Sequence, residues 1–428
     1  MRIVYCTIEC SSAAGTERTL ALQANWLAER GDEVHIVTTD RAKNEVNAFR
    51  FSERIQFHHL GIDYEETDER HSVGKYIHRW QKGRRHRRML TDLLLSIRPD
   101  VTVALFNHEA TFLHKIQDGS KKVEQFHFSH DFVRLHLEAA GLPRWRRWLL
   151  GFAQWRRRRH IRRYDAFVVL TEEDACVWEK DAAVWRKDVK QVAGKRPSAL
   201  RVIPNAVALW PETATDLAAK RVISVGRLSQ QKDFERLIEM WHLIAQIQPD
   251  WSLWIYGKGE LEHALHETVR KHNLSASVHL CSPTTEIEQR YLASSIYIMT
   301  SRYEGFPMVL PEAMACGLPC VSFACPCGPS EIITDGEDGF LVPPGDVRML
   351  AGQVQRLMDD ESLRRRMGQA ARRNIRRFSP AQVMAQWDAL FAELCGRPTS
   401  GGKSAVATEM DALSDGTNII VGKKTMER

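Results

Sequence analysis

Glu304 and Glu312 stand eight positions apart in segment 301–331, SRYEGFPMVLPEAMACGLPCVSFACPCGPSE. An ionised carboxylate only accepts hydrogen bonds and has two oxygens to do it with, so each of the two can grip neighbouring hydroxyl groups. A second pair is cationic: Arg227 and Lys232 lie five apart in SVGRLSQQKDFERL, directly after Gly226. Two fixed cations in one loop can neutralise a diphosphate. Gly15, in CTIECSSAAGTERTL, has no Cβ to keep backbone away from a phosphate or a sugar. His127 and His130, in KKVEQFHFSHDF, are either site residues, a pair on a helix face or ordinary polar loop residues. GKGELE adds Gly257, Gly259 and Glu260.

These residues can act together only if the chain brings them to one edge, and its hydrophobic pattern predicts that it does. Apolar runs at 2–7, 34–38, 101–106, 122–126 and 166–170 read as strands, with an amphipathic helix over 17–30 ending at Gly31. The opening run has one positive charge and is too short for a secretory apolar region, which makes it a buried first strand. A second series begins with the strand 222–225 and the helix 234–247, and continues with strands at 251–256, 278–280, 296–300 and 320–324. Alternation of this kind predicts an α/β fold of two doubly wound, Rossmann-like domains facing a central cleft, where ligands gather beyond the carboxyl ends of the strands. Glu304 then falls in a loop after a strand, and Glu312 in a helix over 308–316 stopped by Gly317. The amino end of that helix points N–H groups and a positive dipole end toward the same space. Domain limits are expected at 1–205 and 206–378.

The arrangement Glu304…Glu312…Cys316-Gly317-Leu318-Pro319, with SRYEGFP and EAMACGLPCV around it, resembles the signature of retaining glycosyltransferases of family 4, which have the GT-B fold. The resemblance runs from residue 1 to about 395. It implies an acceptor-binding first domain, a second domain for a nucleotide sugar, and a helix over 379–396 crossing back to the first. By the same resemblance Glu304 contacts the donor sugar hydroxyls, Glu312 the ribose, Arg227 and Lys232 the diphosphate, and His127 the sugar. Gly15, Gly226, Gly257, Gly259, Gly305, Phe306, Pro307, Met308 and Val309 complete the implied donor pocket. Family members carry a glycine pair where this chain has Ala14-Gly15. The implied reaction moves a hexosyl unit from a UDP-sugar to a lipid-linked or cell-envelope glycan with retention. An epimerase on the same fold and a non-catalytic membrane-binding partner protein are the competing readings.

Composition limits the remaining classes. The chain has 428 residues, 43% hydrophobic and 27% charged, which fits two or three folded domains and excludes disorder and collagen-like repeats. Gly-x-Gly-x-x-Gly is absent, which argues against a dinucleotide oxidoreductase, and with no Asp-x-Asp neither a metal nor a cofactor is expected. Nine cysteines at irregular spacing read as reduced cytoplasmic thiols rather than a zinc site. The first 200 residues carry 35 Lys and Arg against 27 Asp and Glu. Much of that excess sits in RWRRWLLGFAQWRRRRHIRR (144–163), where Arg144, Trp145, Arg147, Trp148, Trp155 and Arg156 are expected to meet an anionic membrane surface. A second basic run, RWQKGRRHRR (79–88), adds to it. A core-facing aromatic stripe with solvated arginines is the competing reading, ahead of nucleic acid, for which no recognised module is present. The expected location is therefore cytoplasmic, peripheral on the inner face of the membrane, with residues 397–428 as a flexible tail.

Overall fold

The computed structural model describes residues 1–11, 15–40, 47–64, 74–132, 135, 151, 158–181 and 199–398, with the side chains of 74–76 left out. Its first sheet is built from β1 (Arg2–Thr7), β2 (Glu33–Thr38), β3 (Gln56–His59), β4 (Val101–Ala104), β5 (Lys121–Gln125), β6 (Ala166–Val169) and β7 (Leu200–Val202). All are parallel, in the order β3-β2-β1-β4-β5-β6-β7. Side chains along a strand alternate between faces. Thus Ile3 and Tyr5 join Leu20, Ala24 and Leu27 of α1 (Gly15–Glu29), whereas Val4 and Cys6 join Leu90 and Leu94 of α2 (Gly74–Ile97). Burial on both faces explains why these strands read as unbroken apolar runs. The helix α3 (Glu172–Glu179) follows β6, capped by the Thr171 hydroxyl, which accepts the Asp174 N–H.

The second sheet contains β8 (Arg221–Val225), β9 (Ser252–Tyr256), β10 (Val278–Cys281), β11 (Ile296–Met299), β12 (Cys320–Phe323) and β13 (Gly339–Val342). Its strands are parallel in the order β10-β9-β8-β11-β12-β13. Its helices are α4 (Phe234–Ile244), α5 (Glu262–Lys271), α6 (Ile287–Leu292), α7 (Val309–Ala315), α8 (Pro329–Ile332), α9 (Val347–Asp359) and α10 (Glu361–Asn374). The expected helix over 308–316 is thus the seven-residue α7. It ends as the sequence predicts: Gly317 takes φ +84°, its N–H reaches Met314 O, and Leu318 N–H reaches Ala313 O. A side chain at that conformation would be strained, which is why a glycine stops the helix.

A last helix, α11 (Pro380–Cys395), packs on the first domain rather than the second. Val383, Met384, Trp387, Leu390 and Phe391 lie in one core with Ile3, Tyr5 and Leu20. Arg30 pairs with Asp388, Arg201 with Glu393 at 2.6 Å, and Arg397 with Asp100 at 2.9 Å. No helix among the described residues is long and apolar enough to cross a membrane. Arg144, Trp145, Arg147, Trp148, Trp155 and Arg156 lie outside the described residues, as does most of the expected tail.

In both sheets the strand order reverses beside the first strand, between β1 and β4 and between β8 and β11. Loops leaving neighbouring strands part at such a point and open a crevice. Gly15, which opens α1, comes after β1; the loop with Arg227 and Lys232 follows β8, and that with Glu304 follows β11.

Candidate active site

Lys232 and Glu304 meet at the crevice of the second sheet. The Lys232 Nζ donates to Glu304 Oε1 at 2.6 Å, and the two side chains are 18% and 8% exposed. The loops carrying them are stitched together. Arg302 N–H donates to Gln231 O at 2.8 Å, Gln231 Nε2 to Tyr303 O at 3.0 Å, and the Thr300 hydroxyl to Lys232 O at 3.0 Å. Asp233 takes the left-handed conformation with φ +53° and is buried; Arg236 and Arg302 both donate to its carboxylate. Gly226 faces the Lys232 stem: a Cβ there would come within 3.3 Å of Lys232 Cγ and Cδ. Arg227, on the same loop, is exposed and lies 3.7 Å from Glu260.

Glu312 is buried deeper, and its partner comes from the other domain. Arg18 Nη1 on α1 donates to Glu312 Oε1, and the Tyr291 hydroxyl on α6 donates to Oε2 at 3.4 Å. Burial pushes the Glu312 carboxyl above its usual range, while the Arg18 charge and the Tyr291 and Arg18 hydrogen bonds pull it back. The first domain also supplies His127, just beyond β5. Both of its ring nitrogens are buried without a hydrogen-bond partner among the described residues, and burial depresses its pKa to about 4. The imidazole is therefore neutral near pH 7, with one nitrogen a donor and the other an acceptor. His130 is instead consumed by structure: its N–H donates to Asp174, its ring lies against Asp131, Asp181 and Arg158, and it packs edge-on to Trp178.

Gly305 sits at the seam between domains. A Cβ on it would fall 2.5 Å from His127 O and 3.0 Å from Phe128 Cα. Phe132 meets Tyr303 edge-on at 5.9 Å, Cys327 N–H donates to the Glu173 carboxylate at 3.2 Å, and Glu173 N–H to the Glu331 carboxylate at 2.7 Å. The space facing Gly15 is open to 4 Å.

Several residues expected to line the donor pocket turn their side chains, or the face where a glycine lacks one, toward neighbouring backbone or core. Gly257 and Gly259 do not face a hollow: a Cβ at either would collide with Gly226 O or Leu228 O, so their bareness lets the β9 loop support the cation loop. Phe306 points into the core against Phe378, Pro307 packs on Gly328, and Met308 and Val309 lean on the same apolar cluster. Only their backbone remains to meet a ligand. Cys316, Cys320, Cys325 and Cys327 are buried free thiols.

Arg18, Tyr291, Gln231, Asp233 and Arg302 escape sequence reasoning. Arg18 is three residues past Gly15 in a helix's first turn, but its partner is 294 positions away and no local pattern marks the pairing. Arg302, Asp233 and Gln231 do lie inside the two segments that carry Glu304 and Lys232, but their charge or polarity alone does not distinguish them from solvated loop residues.

Two family models match the chain. Glycosyl transferase 4-like domain covers residues 14–175 and Glycosyl transferases group 1 covers 211–374. An exopolysaccharide phosphotransferase of Streptomyces coelicolor is 35% identical over 54% of this chain and 24% of its own length. An amylovoran biosynthesis glycosyltransferase of Erwinia amylovora is 39% identical over 39% of this chain and 47% of its own length. The chain thus spans less than half of either relative. Among solved structures, a Staphylococcus aureus TarM variant in complex with fondaparinux, alpha-GlcNAc-glycerol and UDP has a TM-score of 0.68 at 15% identity, covering 91% of this chain and 99% of its own. With two parallel-sheet domains meeting across paired crevices and both family models matched, the chain belongs to the GT4-like glycosyltransferases of the GT-B fold.

Proposed function

We propose that this chain is a retaining glycosyltransferase that moves a hexosyl unit from a UDP-sugar to a hydroxyl of a lipid-linked or cell-envelope glycan. The observation that carries the reading is the Lys232–Glu304 pair at the second crevice, with the unpartnered His127 on the domain across from it. In this reading Lys232 turns to the diphosphate when donor arrives, assisted by Arg227, and frees Glu304 to accept the sugar hydroxyls. Glu312 accepts the ribose hydroxyls, and neutral His127 orients the sugar. The acceptor oxygen attacks the anomeric carbon on the face from which the diphosphate leaves. The C–O bond breaks with its electron pair on the diphosphate, and the leaving phosphate oxygen takes the acceptor proton. Apposed domains keep water out, because hydrolysis is the competing loss. The UDP bound by the TarM variant and the polysaccharide role in the relatives' names support the donor and acceptor classes.

A membrane-linked acceptor is favoured by the basic helix α2, which exposes Ile77 and Trp80 at 57% and 60% and sets Arg84 4.9 Å from the Trp80 ring. The test is a panel of nucleotide sugars, followed by nucleotide release with and without lipid extract. Acceptor-dependent UDP release with the anomeric configuration kept is expected, and Glu304→Gln should abolish it while UDP still binds. Full turnover in that variant removes Glu304 from the site, and donor consumption without acceptor points to an epimerase. Anionic vesicles should bind the protein and lose it when Trp145, Trp148 and Trp155 become Ser.

A further inference from the structure

Arg18 belongs to no motif, yet it reaches a carboxylate more deeply buried than Glu304. It is fixed in the first turn of α1, three residues past Gly15, and its guanidinium crosses the seam between domains to Glu312. The Glu312 side chain is 4% exposed, against 25% for Arg18. A carboxylate so buried keeps its charge only with a charged partner, and removal of one member strands the other. The remaining neighbours do not replace Arg18. Tyr291 from α6 offers one hydroxyl at 3.4 Å, while Tyr297 from β11 and Cys316 at the end of α7 bring no positive charge. Arg18 has one more unspent feature: its Nε is buried without a partner among the described residues. Glu17 and Glu9 are the acidic groups nearest its stretch of chain.

The protonation state of Glu312 decides what it can bind. An ionised carboxylate accepts two hydroxyl hydrogen bonds, as the vicinal diol of a ribose requires, whereas a protonated one surrenders an acceptor position. Because Arg18 and Glu312 come from different domains, their pair exists only while the domains stand as they do here.

We infer that Arg18 is a positioning residue for nucleotide binding: it holds Glu312 ionised and aimed at the ribose, and so ties donor capture to the apposed arrangement of the two domains. This inference rests on the proposed reading of Glu312 as the ribose-binding group. It gives a residue of the acceptor-side domain a part in donor affinity without contact with the sugar.

The experiment measures UDP and inorganic pyrophosphate binding by calorimetry for the wild type, Arg18→Ala, Arg18→Lys, Glu312→Gln and the Arg18→Ala/Glu312→Gln double variant, between about pH 7 and about pH 9. Arg18→Ala should weaken UDP by about tenfold or more at the lower pH. The loss should shrink as pH rises, because a lone buried carboxyl has a raised pKa and ionises only at higher pH. Pyrophosphate, which has no ribose, should bind all variants alike. Arg18→Lys should recover most of the UDP affinity, and the double variant should be no weaker than Glu312→Gln alone. An Arg18→Ala loss that is constant with pH, or equal for pyrophosphate, overturns the inference. So does a loss that Arg18→Lys fails to reduce. If Arg18→Ala does not fold, the Arg18→Lys comparison and the pyrophosphate control decide alone. Unchanged UDP affinity in Glu312→Gln sinks the ribose reading itself; a loss there without one in Arg18→Ala sinks only the inference.

Discussion

Lys232 and Glu304 neutralise one another in the absence of donor, so each is costly to remove alone. Lys232→Ala leaves a nearly buried carboxylate without its partner and should destabilise the protein by about 3 kcal/mol, within the range for broken buried pairs. Adding Glu304→Gln should return much of that loss, which chemical denaturation of the single and double variants will read. His127 presents the opposite case, since its two nitrogens meet no hydrogen-bond partner among the described residues. His127→Leu should therefore leave stability equal or slightly higher while cutting kcat/KM about 10²-fold. The sign with pH also follows. The folded pKa of about 4 lies below the unfolded value of about 6.5, so the unfolded chain binds the proton first as pH falls. This group's contribution to stability is unchanged above about 6.5 and declines by up to about 3 kcal/mol on the way down to about 4. Melting curves at about pH 5 and about pH 7 should show a smaller difference in His127→Leu than in the wild type.

The loop after β8 is aimed by the turn at Asp233, whose left-handed backbone is held by Arg236 and Arg302. Asp233→Ala removes both ion pairs and places a less tolerant residue at positive φ, so a loss of about 2–4 kcal/mol and a matching fall in kcat are expected. Asp233→Asn should keep the turn and lose less, which separates conformation from charge in the same denaturation series. Local signals made most elements readable. The strands at β1, β2, β8, β9, β11 and β12 are apolar runs because both faces are covered, and Gly317 with Pro319 marked the end of α7. β3, β7 and β13 did not stand out: Gln56–His59 is half-exposed and reads as loop, and β7 and β13 are runs of only three and four residues. The basic run at 79–88 showed its charge but not that it lies in one 24-residue helix. At the site, Glu304, Lys232 and Glu312 stood out through the family resemblance of the motifs around them, whereas Arg18 did not, because only the folded chain brings it to its partner.

The two domains touch through bare backbone at Gly305, where His127 and Phe128 leave no space for a methyl group. Gly305→Ala should fold normally, since the collision lies between domains and not within a core. It should nevertheless hold the cleft ajar and lower kcat/KM about 10²-fold, by misplacing His127 relative to Glu304. A melting temperature near that of the wild type, together with the kinetic loss, is the expected result; full activity would show that the seam has slack. The helix α11 binds the molecule in the other direction, from the end of the second domain back to the core of the first. During synthesis the first domain therefore waits: its strands leave the ribosome early, but one wall of its interior is made of Val383, Met384, Trp387, Leu390 and Phe391, translated about 380 codons after Ile3 of β1. A nascent chain of the first half alone has an open apolar flank, and a chimera exchanging acceptor domains has to carry residues 380–395 with the half they complete.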